Sequence, residues 1–178
     1  MERQGNRLEA EGEGIMLVHL PTLPTILIDI AAWFVIHMGV SYLMTRIQLS
    51  SFDAGFWLYK QRKWENEGKI YERIFGLKRW KKRLPDGAAL FKEGFEKKHL
   101  KKLDNVYLDN FIRETCRAEL THWIVFVFGP VFLIWNLWWV GIVMIIYAIS
   151  VNLPCIISQR YNRIRLKRVF SKLIDSTV

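Results

Sequence analysis

A histidine and a carboxylate lie one helical turn apart, directly before the longest apolar run of the chain. The segment is ETCRAELTHW, residues 114–123. Helical spacing places Thr115, Glu119 and His122 on one face, at positions i, i+4 and i+7. The neighbouring face carries Glu114, Arg117 and Thr121. A carboxylate at this spacing can orient an imidazole and stabilise its charged form, as a general base requires. The alternative interpretation is an interfacial helix with ordinary i, i+3 ion pairs.

A second histidine also precedes a carboxylate at a suggestive spacing. His99 lies five residues before Asp104 in HLKKLD. The H-x4-D spacing is the signature of glycerolipid acyltransferases, in which the aspartate orients a histidine that deprotonates an acceptor hydroxyl. The H-x4-D motif has only two fixed positions, so it is a short motif. The alternative interpretation of His99 is a surface histidine in a lysine-rich turn. His122 and His99 are therefore competing predictions for a catalytic base.

A third polar cluster follows the apolar run, in SQRYNRIRLKR at residues 158–168. Its bases can anchor a membrane span, because positive flanks favour the cytoplasmic side. The guanidinium group can also bind phosphate or carboxylate through two parallel hydrogen bonds. The amides of Gln159 and Asn162 are not needed for an anchor, so they favour recognition of a head group or an acyl-carrier phosphate. Arg160 and Arg163 are the arginines nearest to these amides.

These clusters flank a long uncharged segment, residues 123–158. A hydrocarbon core of about 30 Å accommodates about 20 helical residues, so the segment is long enough for two crossings. Gly129-Pro130 is expected to interrupt the first helix. Asn136 lies among Trp135, Trp138 and Trp139, and indoles prefer the headgroup depth, so the turn is predicted there. The sequence predicts a transmembrane helical hairpin; a re-entrant loop is the alternative.

A further apolar segment, residues 23–44, has the length of one spanning helix. Pro21 and Pro24 lie near its start, where a missing backbone donor costs little. Asp29 and His37 are interpreted as an interfacial carboxylate and a packed histidine, and are left out of the site. The acidic start of the chain argues against a cleaved signal peptide.

Orientation is predicted from the location of the basic residues. Residues 1–22 contain only Arg3 and Arg7 as Lys or Arg residues, whereas residues 45–122 and 159–178 are rich in Lys and Arg. The positive charge behind the net value of +9 therefore lies in these two segments. The positive-inside rule places the N-terminus outside and both basic segments in the cytoplasm. The predicted organisation is an extracytoplasmic tail (1–22), a transmembrane helix (23–44), a cytoplasmic basic interfacial region (45–122), a transmembrane hairpin (123–158) and a cytoplasmic basic tail (159–178).

The predicted fold is an all-α integral membrane protein, because no segment shows convincing strand alternation. One helix is expected from about Asp104 through His122 into the hairpin. Clusters at 77–87 and 95–104 interleave bases with aromatic residues, which suits anionic lipid head groups better than nucleic acid next to membrane spans. Two cysteines without a C-x-x-C pair, and no P-loop or H-E-x-x-H, give no support for a metal or nucleotide cofactor.

Three ordered motifs together resemble a known family. FGLKRWKKRLPDG, ETCRAELTHW and NLPCIISQRYNRIR are similar to motifs of the glycosyl-4,4'-diaponeurosporenoate acyltransferase family of bacterial carotenoid synthesis, over residues 71–168. The resemblance implies an enzyme that esterifies a fatty acyl chain onto the sugar hydroxyl of a glycosylated C30 carotenoid acid, the last step toward staphyloxanthin, or of a related glycolipid. Matched by motif, the implied site residues are Glu114, Arg117, Glu119, His122, Gln159, Arg160, Asn162 and Arg163.

The resemblance and the residues suggest one mechanism. His122 deprotonates the sugar hydroxyl, Glu119 orients His122, and an arginine from 160–165 holds the donor phosphate or the oxyanion. The co-substrate is an acyl donor, either acyl-CoA or acyl carrier protein, and the lipid-soluble acceptor comes from the membrane. Two other classes stay open: a lipid methyltransferase, which would need a nucleoside site, and a non-catalytic membrane scaffold, which would direct residues 114–122 into solvent or toward a partner.

Overall fold

The computed structural model describes residues 21–76 and 105–175. Four α-helices form within them: α1 (Thr22–Arg46), α2 (Lys69–Phe75), α3 (Asn105–Val127) and α4 (Trp138–Asp175). Short 3₁₀ helices span Leu49–Ser51, Lys63–Gly68 and Gly129–Ile134. No strand occurs in these two ranges, so the all-α class is confirmed for them.

Among the described residues, three helical segments are long and apolar enough to cross a membrane: Thr22–Arg46, Val106–Ile134 and Trp138–Ser171. The predicted boundaries at 122 and 158 are not breaks in secondary structure, because α3 and α4 continue through them. The helix expected from about residue 104 is confirmed from Asn105 onward. The basic clusters at 77–87 and 95–104 lie outside the described residues.

The Gly129-Pro130 pair and Asn136 mark the two irregularities of the hairpin, as predicted. The α-helical geometry of α3 ends at Val127, and Gly129–Ile134 continues as a 3₁₀ helix. Proline cannot donate a backbone hydrogen bond, so this tighter helix begins where the α-helical ladder is interrupted. The chain then turns at Asn136 before α4 begins at Trp138.

The chain divides into two compact units, and the first comprises residues 21–40 and 124–153 of the described chain. Its core is formed by Trp33, Val125, Phe132 and Ala148. The Asp29 carboxylate accepts hydrogen bonds from the indole N–H of Trp135 and the amide of Asn136, both at 2.8 Å. Buried Asp29 therefore joins α1 to the hairpin turn, so the acid is satisfied by protein donors.

The second unit comprises residues 41–76, 105–123 and 154–175 of the described chain. Its larger core surrounds Leu108, Phe111 and Cys116 of α3, and a smaller core surrounds Tyr71 and Tyr161. Between α1 and α2 the chain is irregular, with only short 3₁₀ turns. Every described residue of the predicted site belongs to this unit.

Candidate functional site

Glu119 is at the centre of a buried group of charges. Its side chain is fully buried on α3. One carboxylate oxygen accepts hydrogen bonds from Arg160 Nη1 at 2.9 Å and from the Trp123 indole at 3.3 Å. The other oxygen accepts from Arg163 Nη2. The segment before the hairpin and the segment after it are therefore in direct contact, as the sequence predicted.

The guanidinium group of Arg160 donates most of its hydrogen bonds to protein acceptors. Nε donates to Glu65 at 2.9 Å, and Nη1 donates to Glu119 and to the carbonyl oxygen of Leu58, each at 2.9 Å. Nη2 donates to the carbonyl oxygen of Lys60 at 3.2 Å. A guanidinium group has five N–H donors, so little capacity is left for a ligand. Arg160 holds the irregular segment after α1 against α4.

Arg163 differs from Arg160 in its remaining hydrogen-bonding capacity. Nε donates to the carbonyl oxygen of Tyr59 at 3.2 Å, and Nη2 donates to Glu119. The buried Nη1 group has no hydrogen-bond partner among the described residues. Its guanidinium carbon also lies 5.4 Å from the centre of the Tyr59 ring. Buried donors are nearly always satisfied in native proteins, so this one is a candidate for binding a transient anion.

Glu65 is a member of this charge group that the sequence analysis did not select. Its carboxylate is fully buried and accepts hydrogen bonds from Arg160, the Tyr71 hydroxyl and the backbone N–H of Arg62. Burial alone would raise the pKa of Glu65, but the hydrogen bonds from Arg160, Tyr71 and Arg62 outweigh it and hold the pKa below the ordinary value of 4.5. Glu65 is therefore ionised at neutral pH.

A left-handed turn directly follows Glu65. Asn66, Glu67 and Gly68 have positive φ angles of 42°, 51° and 85°. A Cβ atom on Gly68 would lie only 3.2 Å from Cδ2 of Tyr161, so both the φ angle and the close ring favour glycine. Strained backbone of this kind persists only where the surroundings determine it, commonly near functional sites. The Asn-Glu-Gly sequence was the available signal for this turn.

Two tyrosines of this region are held in their neutral form. Burial, together with the nearby Cys116 and Glu119, raises the pKa of Tyr59 to about 12. Burial and the hydrogen bond to Glu65 raise the pKa of Tyr71 further. Neither hydroxyl is a base at neutral pH. Acid–base chemistry at neutral pH is therefore not expected from these two phenols.

The remaining residues of the predicted site lie elsewhere on α3 and α4 or outside the described residues. His122 is half-buried on α3, and Gln159 and Asn162 are half-buried on α4. Glu114 and Arg117 form a buried ion pair with each other, at 2.6 Å. His99 and Asp104 lie outside the described residues. Within residues 21–76 and 105–175, no three His, Cys, Asp or Glu side chains form a group able to hold a metal ion.

Comparison with known proteins gives a consistent result. The family model described as glycosyl-4,4'-diaponeurosporenoate acyltransferase matches residues 56–172, which is more than half of the chain. Proteins of that name from Staphylococcus aureus strains USA300 and NCTC 8325 are 34% identical over 143 residues, covering 77% of this chain and 82% of theirs. The protein of that name from strain N315 is 34% identical over 139 residues. No solved structure gives a significant match. The matched region contains Glu65, Glu119, Arg160 and Arg163.

Proposed function

The chain belongs to the glycosyl-4,4'-diaponeurosporenoate acyltransferase family, and we propose that it transfers a fatty acyl group from a thioester donor to a sugar hydroxyl of a glycosylated carotenoid acid or related glycolipid. It is an acyltransferase, as its relatives are named. The observation that supports a reaction centre in this region is the buried contact of Glu119 with Arg160 and Arg163. A scaffold with an exposed polar face would not bury these charges, since an ion removed from water needs compensation.

The proposed reaction is a direct acyl transfer. The hydroxyl oxygen of the sugar attacks the thioester carbonyl carbon, a C–O bond forms and the C–S bond breaks. The hydroxyl proton passes to the catalytic base and then to the departing thiolate, so the products are an ester and a thiol. The tetrahedral intermediate carries a negative charge on the former carbonyl oxygen, which requires a positioned donor.

We assign the base to His122. An imidazole titrates near neutral pH, so it can take the hydroxyl proton and return it to the thiolate. His122 is half-buried on α3, immediately before the uncharged run. That location suits a reaction between a polar hydroxyl and lipid-soluble chains. Glu119 lies three residues earlier, and we propose that it positions the two arginines as well as the imidazole ring one turn away.

We assign oxyanion stabilisation to Arg163 rather than Arg160. The Nη1 group of Arg163 is buried and without a partner among the described residues, whereas Arg160 donates to four protein acceptors. A charged donor held in a buried site stabilises developing negative charge more strongly than one in water. Gln159 and Asn162, half-buried on the same helix, are proposed to bind polar groups of the substrates. Glu114 and Arg117 are proposed to support α3 through their mutual ion pair.

The proposed cellular setting follows from the three apolar helices. We propose a multi-pass protein of the bacterial cell membrane, with the N-terminus outside and the C-terminus in the cytoplasm. The lipid-soluble acceptor then reaches the site from the bilayer, and acyl-CoA or acyl carrier protein supplies the acyl group from the cytoplasm. Membrane lipids surround the hairpin; nucleic acid has no role.

The test is an acyl-transfer assay with the full chain in liposomes, supplied with an acyl thioester and a glycosylated carotenoid acid. His122→Ala should abolish ester formation, while membrane insertion and the unfolding temperature stay unchanged. His99→Ala is the matched control and should keep full activity. Full activity in His122→Ala would remove this histidine from the mechanism. Loss of activity in His99→Ala alone would transfer the role to the H-x4-D motif.

A further inference from the structure

The chain between α1 and α2 presents an aromatic and basic surface at residues 56–64, with the sequence FWLYKQRKW. Phe56 and Trp57 are 50% and 63% exposed, and Trp64 is 60% exposed. All three bases of the segment are exposed as well: Lys60, Arg62 and Lys63. The segment contains no acid. The proposed chemistry at His122 uses none of these side chains, so the 56–64 surface has no assigned role.

The aromatic and basic groups of this surface lie next to each other. The rings of Phe56 and Trp57 have centroids 5.8 Å apart, and Arg62 Nη2 donates to the carbonyl oxygen of Trp57 at 2.6 Å. The backbone N–H groups of Tyr59 and Lys60 both donate to the carbonyl oxygen of Phe56, at 3.0 and 2.9 Å. These contacts hold exposed rings and an exposed base together on one folded turn.

The composition of the 56–64 surface indicates the kind of partner. Large aromatic side chains gain free energy when their apolar area leaves water, and indoles prefer the headgroup depth of a bilayer, where one edge stays hydrated. Bases next to a membrane are attracted by anionic lipids. A purely electrostatic partner would need the bases but not the exposed indoles. An anionic membrane interface uses both.

The end of α1 carries a second interfacial signal in the same compact unit. Tyr42 and Arg46 are both exposed. Arg46 Nη2 donates to the Tyr42 hydroxyl at 2.7 Å, and its guanidinium carbon lies 4.8 Å from the centre of the Tyr42 ring. A tyrosine and an arginine at the end of an apolar helix are typical of the headgroup depth. Phe56 follows Arg46 by only ten residues.

The backbone of the same segment binds the buried charge group. The carbonyl oxygens of Leu58 and Lys60 accept hydrogen bonds from Arg160, at 2.9 and 3.2 Å. The carbonyl oxygen of Tyr59 accepts from Arg163 Nε at 3.2 Å. Three consecutive carbonyl groups therefore hold the two arginines, while the side chains of the surrounding residues form the exposed surface. An event that orders the surface also orders the acceptors of Arg160 and Arg163.

We propose that the 56–64 surface inserts into the headgroup region of an anionic bilayer, and that anionic phospholipid bound there activates acyl transfer by ordering the acceptors of Arg160 and Arg163. The insertion is independent of the reaction at His122. The activation rests on the proposed acyl transfer, since Arg163 is assigned to the oxyanion.

Insertion is tested with the full chain in phosphatidylcholine vesicles that contain increasing fractions of phosphatidylglycerol. The chain has eight tryptophans, so the emission of wild type minus that of Trp57→Phe isolates one indole, and phenylalanine keeps an aromatic ring at this position. Brominated phospholipid should quench the Trp57 emission, and aqueous iodide should not. Quenching by iodide without quenching by brominated lipid would overturn the proposal and leave the surface to a soluble partner.

The role of the bases is tested by the double variant Lys60→Gln with Lys63→Gln. The phosphatidylglycerol fraction that gives half-maximal quenching of Trp57 should rise about fivefold, because each base near an anionic surface contributes to binding. The matched control is Arg165→Gln with Arg168→Gln, which removes the same charge from exposed positions of α4 and should leave that fraction unchanged. Equal shifts in both double variants would attribute the effect to net charge and overturn the proposal.

Steady-state kinetics in the same vesicles tests the activation. Phosphatidylglycerol should raise the kcat of the wild type severalfold, and Lys60→Gln with Lys63→Gln should need more of this lipid for the same kcat at an unchanged unfolding temperature. Quenching of Trp57 without any change in kcat would overturn the activation. Quenching of Trp57 in a wild type that transfers no acyl group in any lipid mixture would contradict the proposed function and leave the insertion of the 56–64 surface intact.

Discussion

Glu119 and Arg163 form an ion pair in which 0% and 3% of the side chains are exposed. The pair joins α3, which leads into the hairpin, to α4, which leaves it. Because Arg160 binds the same carboxylate, one acid holds two cations of α4. The contact of Glu119 with Arg160 and Arg163 therefore fixes which residues of α3 and α4 face each other near the ends of the uncharged run.

Neutralising Glu119 should be strongly destabilising. Glu119→Gln removes the shared partner of Arg160 and Arg163, so two cations in a largely buried environment lose compensation. Breaking a buried pair in this way typically costs about 3–5 kcal/mol. Denaturant unfolding in detergent micelles, followed by tryptophan fluorescence, measures the change.

The matched control for Glu119 is Glu67→Gln. Glu67 pairs with Arg168 on the surface, with side chains 66% and 46% exposed, and such pairs contribute about 0–1 kcal/mol. An equal loss of stability in both variants would mean that the buried Glu119 charge group contributes no more to stability than the exposed Glu67–Arg168 pair.

Arg163→Lys should separate catalysis from folding. A lysine at this position can still pair with Glu119, but it lacks the planar guanidinium group whose Nη1 is proposed to bind the oxyanion. We expect kcat to fall about 10²-fold with little change in the KM for the acceptor. Arg165→Lys, at an exposed position, should leave both parameters unchanged. An unchanged kcat in Arg163→Lys would contradict the assignment of Arg163 as the donor that stabilises the oxyanion.

Glu65 should make stability depend on pH in the acid range. Its pKa is lower in the folded chain than the ordinary 4.5, so the unfolded chain binds the proton more readily and the ionised carboxylate stabilises the fold above pH 4.5. This contribution is lost as the pH falls below 4.5 and through the lower folded pKa. The unfolding temperature of the wild type should therefore decrease over that range.

Glu65→Gln is the comparison for this pH dependence. Glutamine cannot titrate, so the difference in unfolding temperature between wild type and variant should be largest near neutral pH and become smaller toward pH 3. A difference that stays constant over this interval would show that ionised Glu65 does not stabilise the fold.

Gly129→Ala should disturb the packing of the hairpin. A Cβ atom at Gly129 would lie 3.0 Å from the Cβ of Ala148 and 3.6 Å from the Cα of Ile145. None of these atoms can rotate away, so the helices must separate, at a cost of about 1–3 kcal/mol. Gly39→Ala is the control, because nothing lies within 4 Å of that position. Equal unfolding temperatures for the two variants would contradict the close approach.

Periodicity and hydropathy predict the three long helices of the described residues, α1, α3 and α4. The hairpin is marked by the uncharged run, its interrupted helix by Gly129-Pro130 and its turn by Asn136. These signals can be read from the sequence because each acts through local backbone or solvation effects. The meeting of residues 114–122 with 159–165 follows from the hairpin, since helices joined by a short turn lie side by side.

The partners of individual charges could not be predicted in the same way. Glu65 lies in an irregular segment, and its contact with Arg160 joins residues 95 positions apart. Arg160 and Arg163 have the same side chain and are three residues apart, so their sequence positions do not reveal which one is saturated by backbone carbonyls. That distinction depends on the path of residues 58–60, which has no periodic signal.

The hydrogen bonds of Asp29 have a consequence for biogenesis. The indole of Trp135 that binds this carboxylate is synthesised 106 residues later, so α1 leaves the ribosome before its partner exists. A carboxylate alone in a lipid-facing helix is costly, and the cost is relieved only when the hairpin arrives. In the proposed membrane topology, insertion of α1 is therefore coupled to completion of the hairpin, and we expect a protein truncated before Trp135 to be retained poorly by the bilayer.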